Sequence, residues 1–255
     1  MREFYKVSLN DNEFINIDPR LYINDLEERA SFQVDTANRP GYGQMLVGQP
    51  ERSKLDVTLR FMIKERDRAK RQTIVDQVNA WAAAPGWLHL STRPEKRLYV
   101  VCTQSADPTA HKWNEELNLT LTAYDQPYWQ ERFPVKATYT GAYGTATLRP
   151  RGSRRCWLDA DILNTSGGTI NSLSVAANGC TLAFDGLGLG NGQTLRISHD
   201  PQGRLQAEVG SDRKLSCRTP ASDDDVPLVP MQDNTVTLWA DGACETTFYA
   251  RGEWE

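Results

Sequence analysis

The sequence of 255 residues contains few of the residues that build metal sites. It has three histidines and five cysteines, and the cysteines lie 24 to 54 residues apart without a C-x-x-C pair. Zinc sites usually take their ligands from close pairs, so this spacing predicts no metal site and free thiols in a reducing cytosol. The residues concerned are Cys102, Cys156, Cys180, Cys217, Cys244, His89, His111 and His199.

Long hydrophobic runs are also missing. The longest apolar run is a handful of residues, as at 80–85, whereas a helix that spans a bilayer needs roughly 20. The first twenty residues alternate polar and apolar types and include Asp11, Glu13 and Asp18, so they lack the apolar core of a secretory signal. We therefore expect a soluble chain that is synthesised in the cytoplasm and does not insert into membranes.

Neither sign of charge dominates. The 29 basic and 33 acidic residues give a net charge of −4, and a division near residue 132 leaves both halves mildly acidic. Such a surface does not favour specific binding of nucleic acid or anionic lipid. Hydrophobic residues make up 39% of the chain, with seven Trp, seven Phe and nine Tyr, which excludes a disordered or fibrous protein and suits two globular domains.

The first half, residues 1–132, is predicted to be β-rich with one packed helix. Apolar residues alternate with polar ones over 55–63 and 117–123, which is the period of a strand with one buried face. A third strand is predicted over 97–102. Between the first and third strands the apolar spacing changes to that of an amphipathic helix, at about 66–84.

The second half, residues 133–255, is predicted to be a β-sandwich. Turn signals recur between short apolar segments, and the predicted strands include 181–184, 235–239 and 246–251. The boundary is placed within 132–155, which is rich in turn residues. The chain is thus predicted to be mainly β, and its turn signals are Asn178-Gly179, Asp185-Gly186, Asn191-Gly192, 200–203 and Asp241-Gly242.

No segment has the pattern of a catalytic site. The glycine-rich stretch 186–192 is followed by apolar strand residues and not by a helix, which favours a loop between strands over a phosphate-binding loop. Ser198, His199 and Asp200 are consecutive and would point to opposite faces of a strand. The acidic residues 223–225 are interpreted as a solvated loop. We expect no enzyme, no cofactor, and no catalytic, cofactor-binding or metal-binding residues.

Two surface features allow more than one interpretation. The basic residues at the start of the predicted helix form either a solvated face or a salt bridge to a neighbouring subunit. The aromatic residues of the second half are either core or, if they share an open face, a platform for stacking sugars. The first group is Arg66, Arg68, Lys70 and Arg71, and the second is Trp157, Trp239, Tyr249 and Trp254.

Several segments, taken in order, carry a resemblance to a known family. In the first half they are the strand 55–64, the helix that ends around Trp81, a proline-then-aromatic strand at 94–101, and a strand followed by Asp-Gln-Pro-Tyr within 119–129. In the second half they are an Asn-Thr-Ser-Gly-Gly segment within 161–168 and an aromatic last strand at 248–254. This order resembles the distal tail protein family, Dit, of long, non-contractile-tailed bacteriophages, although Gln126 interrupts the family's Asp-Pro-Tyr segment.

The resemblance implies a structural role. It implies a ring-forming first domain and a galectin-like sandwich, in a homohexameric ring at the distal end of a phage tail. The implied partners are copies of the same chain, the tail tube protein, the protein of the tail tip or baseplate hub, and a receptor-binding protein. The implied location is the virion tail.

Two other functions are kept as alternatives. The second-half sandwich could be a carbohydrate-binding module that recognises a host-surface glycan, in which case Trp239 or Trp157 would contact the sugar. A hydrolase of a wall polymer is the third interpretation, and turnover of such a polymer would reveal it.

Overall fold

The computed structural model describes residues 5–39, 43–107 and 116–254, with the backbone alone for 38, 39, 43–46, 48 and 49. The chain divides into two compact units, Met1–Trp129 (unit 1) and Gln130–Glu255 (unit 2). The boundary expected from the sequence, after residue 132, lies three residues further along the chain.

Unit 1 is an antiparallel sheet with one helix, and its strands follow the order β2–β1–β5–β6–β7–β4–β3. Its elements are β1 (Val7–Leu9), β2 (Asn12–Glu13), a 3₁₀ turn (Phe14–Asn16), β3 (Leu21–Arg39), β4 (Gly43–Ile63), α1 (Arg68–Ala82), β5 (Gly86–Leu90), β6 (Lys96–Gln104) and β7 (Leu117–Ala123). A short strand, β8 (Trp129–Glu131), crosses the boundary between the units.

The three strands predicted for the first half are confirmed, but one of them is much longer than expected. The predicted strand 55–63 is the second half of β4, whose apolar side chains Leu55, Val57, Leu59, Phe61 and Ile63 are buried. The first half of β4 contains Pro, Glu, Arg and Lys without apolar alternation, so the period of two is absent there. Its partner β3 was not predicted, for the same reason.

The predicted helix is confirmed with slightly different ends. Asp67 lies just before the helix, and its carboxylate accepts hydrogen bonds from the backbone N–H groups of Ala69 (2.9 Å) and Lys70 (3.3 Å). This cap satisfies two of the free amides of the first turn, so α1 starts at Arg68 and not at residue 66. None of the helices in the described residues has the length and hydropathy to cross a bilayer.

Unit 2 is a curled antiparallel sheet in the order β12–β11–β17–β10–β13–β14–β15, with β9 beside β17 and β16 beside β10. Its elements are β9 (Val135–Leu148), β10 (Cys156–Asn164), β11 (Leu173–Ala177), β12 (Cys180–Phe184), β13 (Thr194–His199), β14 (Leu205–Val209), β15 (Asp212–Arg213), a 3₁₀ turn (Leu215–Cys217), β16 (Pro227–Leu228), β17 (Asn234–Ala250) and β18 (Glu253–Trp254).

The prediction of separate strands at 235–239 and 246–251 was wrong. Both belong to β17, and the predicted turn Asp241-Gly242 lies inside this strand. The register with β9 shifts between Trp239 and Cys244, which marks a bulge where the strand bends without ending.

The predicted boundary segment 132–155 also contains a strand, β9. Its glycines are turn signals in the sequence, but here they make room for an aromatic ring. A Cβ atom at Gly144 would collide with the ring of Tyr139, and Gly141 has a φ of +143° beside the same ring. Glycine in a strand often marks such a close approach.

Two turn predictions are confirmed in detail. Asn178 and Gly179 have φ values of 52° and 83° and join β11 to β12 as a two-residue hairpin loop. The segment 200–203 closes with the Gly203 N–H donating to the Asp200 carbonyl at 2.8 Å, and it joins β13 to β14.

The core of unit 2 is closed at one end by a buried asparagine. The Asn164 side chain donates to the carbonyls of Gly168 (2.9 Å) and Leu189 (2.7 Å) and accepts from the N–H (2.9 Å) and hydroxyl (2.7 Å) of Ser166. Asn164 lies opposite Cys244, beside the bulge of β17. Asn164 is therefore a central hydrogen-bonding residue of the segment that resembles the Asn-Thr-Gly opening of the Dit family.

Candidate assembly interface

The triad-like residues of the sequence do not converge. His199 instead lies between two carboxylates from other segments: its Nδ1 is 2.8 Å from Asp159 Oδ1, and its Nε2 is 2.8 Å from Asp225 Oδ1. The Trp157 ring stacks on the imidazole at 5.8 Å between centroids. Burial disfavours the charged ring, but the two carboxylates outweigh this cost and raise the pKa of His199 to about 9.

This arrangement is a structural clamp. Both imidazole nitrogens are already hydrogen-bonded to carboxylates, so neither is available as a base or a metal ligand. Within residues 5–39, 43–107 and 116–254, no group of three or more His, Cys, Asp or Glu side chains could hold a metal ion. His111 lies outside the described residues.

Residues 223–225 form a loop with two exposed carboxylates, in agreement with the interpretation as a solvated loop, but all three side chains have partners. Asp223 accepts the Thr181 N–H at 2.6 Å, Asp224 pairs with Arg218 at 2.8 Å, and Asp225 contacts His199. The first two carboxylates are exposed, as expected, but the loop is fixed at three points.

The glycine-rich stretch is a loop between strands, as predicted. Residues 186–192 connect β12 to β13 without a helix, and Leu187 and Leu189 from this loop are buried. The loop is therefore part of the core of unit 2 and has no helix N-terminus to hold a phosphate.

Three cysteine thiols are kept protonated by their surroundings. Burial raises the pKa of the Cys102 and Cys244 thiols, and that of Cys156 to about 12. A nucleophilic cysteine requires the opposite shift, so these thiols are unreactive at neutral pH. In the part of the chain that the structure describes, none of the cysteines forms a disulfide.

The basic residues at the start of α1 are only partly solvated. Arg66, Arg68 and Lys70 are exposed, as the simpler interpretation expects. Arg71 is 7% exposed and belongs to the buried side of the helix, which the sequence interpretation missed.

The four aromatic residues of the second half do not form one platform. Trp157 packs against His199, and the Tyr249 hydroxyl donates to Asp161 at 2.9 Å. Trp239 is 45% exposed and lies directly opposite Tyr143, which is 67% exposed. The exposed pair on β9 and β17 is therefore Trp239 with Tyr143, and the sequence analysis did not single out Tyr143.

The most open feature of the described residues is the outer part of the β3–β4 pair. We call residues 32–39 of β3 and 43–51 of β4 the ribbon. β7 pairs with β4 over 55–61 only, and β3 is the last strand of the sheet, so the described strands leave both outer edges of the ribbon unpaired. Every described side chain of the ribbon, at 32–37, 47, 50 and 51, is exposed.

Apolar side chains are concentrated on this ribbon. Phe32 is 56% exposed, Val34 48% and Val47 51%. Arg52 fixes the base of the ribbon, since its guanidinium lies 5.8 Å from the Phe32 ring and 5.4 Å from the Tyr128 ring. Exposed apolar groups beside unpaired strand edges are typical of a surface that binds another chain.

The structure corrects one expectation about this interface. From the sequence alone, a long alternating strand such as 55–63 is expected to have edges that can pair across a subunit boundary. In unit 1 this segment is central, because β3 pairs with one side of it and β7 with the other. The open edges belong to the ribbon and the outer side of β3, where charged residues hide the strand pattern.

No protein-family model and no curated protein matches the sequence. Solved structures do resemble the fold. The chain is similar to the SPP1 Dit protein, gp19.1, described as a paradigm of the hub adsorption apparatus in phages that infect Gram-positive bacteria, with a TM-score of 0.70 and 10% identity over 98% of this chain and 99% of that one.

Two structures of the phage p2 baseplate in its activated conformation also contain similar chains. With Sr, the TM-score is 0.53 at 7% identity over 97% of both chains. With Ca, it is 0.51 at 6% identity over 99% of this chain and 98% of that one. These likenesses confirm the resemblance at the level of structure: along nearly its whole length, the chain has the fold of the SPP1 Dit protein.

Proposed function

We propose that this protein is a structural virion protein that forms a homohexameric ring at the distal end of a phage tail and joins the tail tube to the tip or baseplate hub. The observation that carries the proposal is the likeness to SPP1 Dit over 98% of the chain, together with the likeness to chains of the phage p2 baseplate. The likeness extends through both units, so it covers more than a common β-domain.

The surface of unit 1 supports this function on physical grounds. A head-to-tail ring requires two different, complementary surfaces on each copy. The ribbon offers unpaired edges and exposed apolar side chains, which are costly in a protein that works alone. The His199 clamp has both imidazole nitrogens hydrogen-bonded to carboxylates, so no substrate is needed to explain it.

The proposal includes partners and location. The ring would contact copies of itself, the tail tube protein and the tip or hub protein, with a receptor-binding protein as a further candidate. The chain would be made in the host cytoplasm and end in the virion tail. It would act without a cofactor and without catalysis.

Native mass spectrometry and negative-stain images of the purified protein test the proposal. Six-fold rings with a central hole, and a mass of six chains, are expected. If the protein stays monomeric at high concentration, both alone and with its tail tube and hub proteins, the proposal fails. A wall polymer degraded by the purified protein would favour the hydrolase interpretation instead.

A second candidate is glycan recognition by unit 2, and the exposed pair Trp239 and Tyr143 favours it. Their positions opposite each other on β9 and β17 suit stacking against a sugar ring, and a pair of threonines, Thr145 and Thr237, lies two residues further along the strands. Binding on a glycan array that Trp239→Ala abolishes would support this candidate. Phe133→Ala, which removes another exposed aromatic ring of unit 2, is the control and should leave binding unchanged.

A further inference from the structure

We propose that Phe32 on the ribbon of one copy inserts into an apolar cavity of the next copy in the ring. The inference rests on the proposed function and names the contact that would build the ring. Each copy carries both parts, the projecting side chain and the cavity, so the same contact can repeat from copy to copy until the ring closes.

The cavity lies in unit 1 between β1, the 3₁₀ turn and the start of β3. Its volume is about 170 Å³, and its apolar and aromatic lining residues are Tyr5, Val7, Phe14, Ile15, Tyr22 and Ile23. Val7, Phe14 and Ile23 are buried and form a fixed floor, whereas Ile15 is 45% exposed at the mouth. Apolar cavities of this kind bind apolar groups in preference to water.

The size of the cavity suits a phenyl ring. An apolar cavity of about 150 Å³ in another protein is large enough to bind benzene. Phe32 carries the same ring, is 56% exposed, and is the largest exposed apolar side chain among those described for the ribbon. The transfer of this ring from water into the cavity would bury apolar surface on both copies.

Phe32 cannot reach the cavity of its own chain. Ile23 lines that cavity, and Phe32 follows nine residues later on the same strand, β3. A strand rises about 3.3 Å per residue, so roughly 30 Å separates the two positions. The cavity that receives Phe32 must therefore belong to another copy.

Charged groups near the two parts are complementary. Lys6 and Glu13 line the cavity beside its apolar residues. Arg52 lies opposite Phe32 in the register, and Glu51 lies opposite Gln33. Arg52 shares a face of the ribbon with Phe32, whereas Glu51 shares the opposite face with Gln33, so Glu13 of one copy can meet Arg52 of the next beside the inserted ring.

Photo-crosslinking with isotope labels tests the contact directly. The full chain with p-benzoylphenylalanine at position 32 is mixed with unmodified, ¹⁵N-labelled full chain, irradiated and analysed by mass spectrometry. The expected product joins the unlabelled segment around residue 32 to labelled residues 5–23. Hexamers whose cross-links map elsewhere would overturn this contact and leave the ring intact, whereas no oligomer and no cross-link between copies would overturn both proposals.

Charge variants provide the second arm. Phe32→Glu should weaken self-association at least about tenfold, as expected for a central aromatic residue of an interface. Gln33→Glu is the matched control, because it adds the same charge on the opposite side of the strand. Combining Phe32→Glu with Ile15→Lys should restore association, whereas Asn16→Lys should not. Equal association by Phe32→Glu and the wild type, with thermal unfolding unchanged, would overturn the proposal.

Discussion

Each unit contains one long antiparallel strand pair, and the two pairs differ in what covers them. In unit 2, β17 has β9 along one edge, with β11 and then β10 along the other. In unit 1, β4 has β3 along one edge, but β7 covers the other edge over 55–61 only. In the covered pair β9–β17, β17 alternates buried side chains with exposed or half-buried ones on both sides of its bulge, whereas every described side chain of the uncovered ribbon is exposed.

This difference in coverage indicates that the covered strands stabilise the fold and that the ribbon is available for assembly. A strand with neighbours along both of its edges, such as β17, obtains its apolar contacts within the chain, so its side chains contribute to stability. A pair that leaves the sheet cannot do this, because two strands alone bury little surface. Its exposed apolar residues contribute little to folding and are available to another molecule. The predictions below test this separation, from the largest expected effect to the smallest.

Two phenylalanines of the same strand pair give the sharpest test. Phe61 in the covered half of β4 is fully buried and packs against Phe14 at 5.3 Å, so Phe61→Ala should lower the free energy of unfolding by about 3–5 kcal/mol. Phe32→Ala, on the ribbon, should change it by less than about 0.5 kcal/mol. Urea denaturation measures both. A large decrease in the free energy of unfolding for Phe32→Ala would show that the ribbon contributes to the stability of the fold, as β17 does.

The clamp at His199 predicts a pH dependence for unit 2. Burial opposes the charge, but Asp159 and Asp225 hold the pKa of His199 at about 9, above the ordinary value of 6.5. A raised pKa means that the folded state keeps a proton that the unfolded state loses. The stabilisation is complete below pH 6.5 and declines as the pH rises towards and past 9, by on the order of 3 kcal/mol.

Denaturation from pH 6 to 10 measures this decline. His199→Gln should be less stable at pH 6 and should show a flatter profile, which separates the imidazole from the titration of the thiols. If the stabilities of the wild type and of His199→Gln change in parallel with pH, the charged histidine does not hold the loop of Asp225 against β10.

Asn164 tests the support that β10 gives to β17 beside its bulge. Its amide makes four hydrogen bonds beside the bulge of β17, and Asn164→Ala removes all four at a position that is only 1% exposed. We expect a loss of about 2–3 kcal/mol in the free energy of unfolding. Asn118→Ala, at an exposed position of β7, is the control and should stay within about 0.5 kcal/mol.

The smallest effect is expected at the start of α1. This helix is linked to the covered half of β4 through Phe14, whose ring packs against both Trp81 of α1 and Phe61 of β4. Asp67→Ala removes the cap of the helix and should cost about 1 kcal/mol. Asp67→Asn keeps a capping side chain and should cost only a few tenths of this, as measured by thermal unfolding. Equal losses for the two variants would assign the effect to the charge of Asp67 and not to its hydrogen bonds.

The elements that could be predicted from the sequence are those with one face buried in the core. The strands 55–63 and 117–123 and the helix around Ile74 were found because burial on one face imposes a strict period. The ribbon escaped prediction because none of its described side chains is buried: the alternation of Phe32 and Val34 with Gln33 and Asp35 is too short to mark a strand, and the partner segment contains Gly48 and Pro50. The strand β9 was missed because Gly141 and Gly144 are turn signals in the sequence. In the structure they form no turn but make room for the ring of Tyr139 beside the bulge.

From the sequence, an interface between copies could be predicted in general, but not the residues that form it. The Dit resemblance implied a ring, and its fold is confirmed, but the residues 55–63 proposed for the contact are inside the sheet. Which edge stays open depends on the order of the strands, and sequence periodicity does not contain this order. Likewise, Asp159 and Asp225 lie 40 and 26 residues from His199, so no local motif could reveal their contact.

The bend in β17 has a mechanical consequence. The first part of β17 pairs with β11 and the second part with β10, and one continuous backbone joins them. A force that pulls these two parts of unit 2 apart along β17 is therefore carried by covalent bonds. Two separate strands joined by a loop would resist the same load only until the loop straightened. We expect unit 2 to extend little under tension before its hydrogen bonds shear together.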